Sequence, residues 1–179
     1  MKKVFGFTAA ALLAFSVGCS SEEAKPKKEE NKLEVKEDAK KADPNAEKIA
    51  ILNFEAELVK KLREYHAPFN AYAAALEAAE KPAQADLDKM KAEAKASGEK
   101  AASEIPGMAI PSELSADLQA AYKAGFEDLK KSYEARVAGL DDAKKTEEAD
   151  TLFTAFEEKV NAEHKKLELL PASFAAEVQ

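Results

Sequence analysis

A chain of 179 residues, rich in Ala, Lys, Glu and Leu, with 6 Gly and no Trp, has room for one hydrophobic core and the bias of long amphipathic helices rather than of a sheet protein. Its 27 Lys and Arg stand against 34 Asp and Glu, net −7, and residues 49–179 alone carry 17 basic and 25 acidic side chains. An acidic domain without a basic stripe is repelled by polyphosphate, which excludes nucleic acid as the expected partner, and a single cysteine, Cys19, excludes an internal disulfide or a thiolate zinc cluster.

The chain opens with Lys2 and Lys3, followed by an apolar run of 14 residues, Val4 to Val17, and the small residues Gly18 and Cys19. A bilayer span needs about 20 apolar residues, so this run reads as a secretory leader. The spacing Ser16-x-Gly18 fits ordinary signal cleavage after residue 18, which would leave Cys19 as a free N-terminal thiol. The same four residues, Ser16-Val17-Gly18-Cys19, resemble the cleavage box of bacterial lipoprotein leaders, a likeness confined to the first tenth of the chain. That resemblance implies a cleaved leader (1–18), a diacylglyceryl thioether on Cys19 and, in many species, an amide-linked acyl chain. It thereby implies a membrane-anchored protein on the extracytoplasmic side, since two or more chains anchor durably where one is marginal.

Residues 19–48 read as a lipid-anchored tether. From Ser20 to Lys48 only Leu33 and Val35 are sizeable apolar side chains, too few to offset the entropy of ordering the segment. As a random coil its 29 residues reach on the order of 30 Å. Lys25, Lys27 and Lys28 are interleaved with Glu22, Glu23, Glu29 and Glu30, which cancels any field aimed at anionic headgroups.

From residue 49 to 179 the pattern is helical. Asp43-Pro44 offers a helix start. Ile51, Leu58, Tyr65 and Tyr72 repeat every seven residues beside Leu62, Phe69 and Leu76, which predicts a first helix over about 46–79, kinked near 65–67 by Pro68. A second helix after Pro82 carries Leu87, Met90, Ala94, Ala101 and Ile105 on a mostly alanine face interrupted by Ser97-Gly98, which allows close approach of a neighbour. The connector 105–111 has turn residues around apolar ones and reads as a bundle plug or, alternatively, a docking loop. Ser112 is the expected cap of a third helix, about 113–138, with Leu114, Leu118, Tyr122, Gly125, Leu129, Tyr133 and Val137 on one face. A fourth helix carries Leu152, Phe153, Phe156, Val160, Leu167 and Leu170, stops at Pro171, and Phe174 folds back. The fold expected is all-α: an antiparallel up-and-down four-helix bundle, with a three-helix bundle containing a broken member as the alternative.

Chemistry is sparse in this pattern. Carboxylate metal sites in bundles use Glu-x-x-His, but Arg63 precedes His66 and Asn161 precedes His164 at that spacing. The two histidines are expected in opposite halves of the bundle, each partly exposed. There is no zinc-protease helix motif, calcium loop, phosphate-cradling glycine loop or nucleophile elbow, and Asp141/Asp142 and Glu147/Glu148 are placed to cap a helix and face its dipole. The expectation is a non-catalytic protein without cofactor or metal, a binding or spacer module of the cell envelope with a protein or wall partner. A small-ligand or lipid carrier is the alternative.

Overall fold

The computed structural model describes residues 44–179; the leader, Cys19 and the tether as far as Asp43 lie outside them. All regular structure among the described residues is helical: α1 Pro44–Glu77, α2 Gln84–Glu104, a 3₁₀ turn Ile105–Gly107, α3 Ala116–Gly139, α4 Ala143–Lys166 and α5 Phe174–Glu177. None of these helices is long and apolar enough to cross a membrane.

The four long helices run antiparallel in sequence. Lys91 of α2 pairs with Asp141 at the end of α3, whereas Gly98, a turn or two further along α2, meets the earlier Val137. Likewise Asp128 of α3 pairs with Lys159 of α4, and the later Arg136 with the earlier Asp150. The core is one aromatic-rich cluster from all four helices, including Leu58, Leu62, Tyr122, Phe126, Leu129, Tyr133, Phe156 and Val160.

Alanine and glycine set the spacing on one side of the bundle, and rings set it on the other. On α2 the buried residues are Leu87, Ala94, Gly98 and Ala101, and a Cβ built on Gly98 would stand 2.4 Å from Val137 Cγ2 and 2.8 Å from Phe69 Cζ. Across the core, α1 meets α3 and α4 through rings: Phe54 on Tyr122 at 4.9 Å between centroids, Tyr65 on Tyr133 at 5.9 Å and His66 on Phe153 at 5.6 Å. The C-terminal segment bridges α1 and α4. Phe174 packs on Phe156 at 4.8 Å, Ala175 N donates to Glu157 Oε1 (2.6 Å), Asn70 Nδ2 donates to Val178 O (2.8 Å), and Arg63 pairs with Glu177.

Several local expectations are corrected. Helix α1 continues through Pro68, so the proline does not break it. Glu64, whose carbonyl loses its partner, is on the exposed side where water can serve it, while Ser97 Oγ donates to the neighbouring Tyr65 carbonyl at 2.9 Å. Leu76 is 42% exposed and Ala75 takes its place in the core, because a strict seven-residue row drifts about 20° per heptad around a straight helix. Helix α3 starts at Ala116, not Glu113, and Ser112 bonds Glu113 instead of capping it. Glu47, reaching from α1, accepts from Ser115 N at 2.6 Å and serves that helix end. Leu170 lies beyond α4, 88% exposed. The turn that carries it there has Glu168 in the left-handed region (φ 55°), with Leu169 N donating back to His164 O.

Other expectations agree with the fold. Asp142 caps α4 by accepting from Lys144 N at 3.0 Å. In the connector Ile105 is fully buried, with Met108 and Ile110 packed against the core, so these residues close the bundle end.

Gly125 yields a quantitative prediction. A Cβ there would stand 2.6 Å from Phe156 Cδ2, on a ring fully buried between Phe153 and Phe174. Overpacking of this kind costs about 1–3 kcal/mol, against at most about 1 kcal/mol gained from alanine's helix preference. Gly125→Ala is therefore expected to lower the urea midpoint at unchanged slope, while Gly107→Ala, with no atom within 4 Å, leaves it within error.

Candidate functional site

Two polar clusters are buried in this bundle, one in each half, and each centres on a histidine. The expectation of partly exposed histidines is corrected: His66 is 4% and His164 2% exposed. Both sit on the apolar stripe of their helix, where periodicity places a residue whatever its polarity.

The first cluster joins α1, α3 and α4. Tyr122 Oη donates to Glu55 Oε1 at 2.6 Å. His164 Nε2 lies 2.9 Å from the same oxygen, close but off the line of a good hydrogen bond, and His164 Nδ1 faces Leu170 O at 3.2 Å. Carboxylate and carbonyl oxygens only accept, so both ring nitrogens are served only when both carry protons. Burial works against that charge, but the close approach of the Glu55 carboxylate, with the Leu170 carbonyl, outweighs it and raises the His164 pKa above the ordinary imidazole value. This cluster ties α1 to α3 and α4 through one carboxylate oxygen shared by the Tyr122 hydroxyl and the His164 ring.

The second cluster is open on one side. His66 Nδ1 lies 2.7 Å from Tyr133 Oη. Burial raises the Tyr133 phenol far above its usual pKa, so the hydroxyl keeps its proton and can donate to Nδ1 in the tautomer that carries the imidazole proton on Nε2, with the Leu62 carbonyl the other acceptor at the ring. Burial, then the neighbouring Arg136 charge, lowers the His66 pKa to about 4, so the ring is neutral near pH 7. Arg136 Nη2 donates to Asp150 Oδ1 at 2.5 Å, while its Nε–H is buried without a partner.

His66, Asn70, Arg136, Asp150, Phe153 and Thr154 line a cleft of about 420 Å³ together with Ala175, Val178 and Gln179 of the C-terminal segment. That volume falls within the range of small-molecule sites, roughly 300–1,000 Å³. A larger hollow of about 590 Å³ beside α2, bounded by Gly98, Ala102, Pro106, Lys130 and Glu134, is shallower and holds no buried polar group. The cleft is thus lined by α1, α3, α4 and the C-terminal segment.

Cys19 lies outside the described residues, and the two histidines do not share a site. Among the described residues no three His, Cys, Asp or Glu side chains are gathered as a metal site. Nothing in the local sequence marks Glu55 or Asp150, and Tyr133 stands out there only as a core position. One signal was present: Arg63 and Arg136 are the only arginines among 27 basic residues, and arginine is the cation suited to buried, directional pairing. Set against family models, curated proteins and solved structures, the chain finds no match.

Proposed function

We propose that the chain is a lipid-anchored binding module of the cell envelope, held on the extracytoplasmic side by Cys19 and carrying its helical bundle at the end of a charged tether. The observation that carries this reading is the leader: a charged start, a 14-residue apolar run and Ser16-Val17-Gly18 directly before the one cysteine of the chain. A lone cysteine at that position has no structural pairing to make, whereas acylation gives it a role. Crosslinking in intact cells, followed by mass spectrometry, tests the binding role. A specific envelope protein or wall component recovered with the native chain and lost with Cys19→Ala is expected; recovery of the chain alone would contradict it.

A second reading, a carrier of a small ligand, is favoured by the cleft at His66. Its walls come from three helices and the C-terminal segment and combine His66, Arg136 and Asp150 with Phe153 and Val178. An anchored module and a ligand carrier are compatible, the tether then holding a ligand site near the membrane.

A further inference from the structure

The cleft has a definite polarity. Thr154 Oγ1 donates to Asp150 O, and Asn70 Nδ2 to Val178 O. The donors left at its wall include His66 Nε2–H, the part of the Arg136 guanidinium that Asp150 does not take, the second N–H of Asn70 Nδ2 and the Gln179 side-chain amide. Asp150 engages Arg136 through Nη2 alone, and its side chain is 63% exposed against 17% for Arg136, so the acid is largely hydrated and the guanidinium largely sheltered. Phe153, Ala175 and Val178 supply the apolar part of the wall. A sheltered cation beside a neutral imidazole donor, facing apolar side chains, matches a ligand with an anionic head of two acceptor oxygens and a short apolar body.

We propose that this cleft binds a small organic monocarboxylate, its oxygens taken by the Arg136 guanidinium and His66 Nε2–H and its apolar body laid against Phe153, Ala175 and Val178. The proposal rests on the ligand-binding reading and adds the ligand class. A carboxylate meets the Arg136 cation with charge on both partners, where a neutral amide oxygen brings none, so the carboxylate should bind about tenfold more tightly than its amide.

The test is a pair of titrations of the full chain in detergent at pH 7, one with sodium propionate and one with propionamide, following the His66 ring by proton–nitrogen correlation. Sodium chloride is the ionic-strength control. The expected result is a saturable shift of His66 with propionate, about tenfold tighter than with propionamide, and loss of that preference in Arg136→Gln. The ratio is read on the unaltered chain, so it stands even where the variant does not fold. Propionamide binding at least as tightly as propionate would overturn the carboxylate assignment and leave the ligand-binding reading standing. Binding of neither, or the same shift with sodium chloride, would overturn both.

Discussion

Glu55→Ala is expected to destabilise the bundle by about 3–5 kcal/mol, the cost of removing one partner from a buried pair. The Glu55 side chain is 13% exposed and His164 3%. Its one oxygen both accepts the Tyr122 hydroxyl and faces the His164 ring, so the substitution strands two buried groups at once. The measurement is the urea midpoint at constant slope. A double variant with His164→Phe should lose less than the sum of the single losses, because an uncompensated imidazolium is no longer buried. The pH dependence has a fixed sign. A histidine whose pKa is raised by folding stabilises fully below the ordinary value of 6.5, and that contribution is lost as pH rises through the folded-state value. Wild-type stability should therefore fall on the alkaline side of pH 6.5, and Glu55→Ala should lack this fall.

His66 acts in the opposite direction. Its folded-state pKa is about 4 against 6.5 in the unfolded chain, so the unfolded chain takes up a proton that the fold refuses. The fold is unaffected above pH 6.5 and loses roughly 3 kcal/mol as pH falls from 6.5 to about 4. Tyr133 bonds the ring, Phe69 and Phe153 pack on it, and Arg136 with its partner Asp150 supplies the nearest charges. The slope of stability between pH 6.5 and 5, where most carboxylates remain ionised, isolates this histidine. In His66→Gln that slope should flatten, and an unchanged slope would contradict the neutral, buried ring. Together the two histidines place the maximum of stability near pH 6.5.

The helices were readable from the chain because period and composition carry them: Leu58, Leu62, Leu118, Leu129, Phe156 and Val160 stand at three- and four-residue steps and are all fully buried. Ends were read less well. The cap of α3 comes from Glu47, 68 positions away in sequence, and such a partner leaves no trace near Ser115. Leu170 continues the apolar period but follows the left-handed turn at Glu168, a conformation glycine would have announced and glutamate does not. The polar clusters were hidden for the same reason. Glu55 and His164, or His66 and Tyr133, meet only across helices, and a charged residue on a helix reads as solvated until its neighbours are known.

The proposed anchor and extracytoplasmic location both rest on cleavage before Cys19 and its acylation. The direct measurement is the mass of the N-terminal peptide of the chain isolated from cell membranes. The account predicts a peptide that begins at Cys19 and carries a diacylglyceryl group; an unacylated Cys19, or a peptide that still begins at Met1, would contradict it.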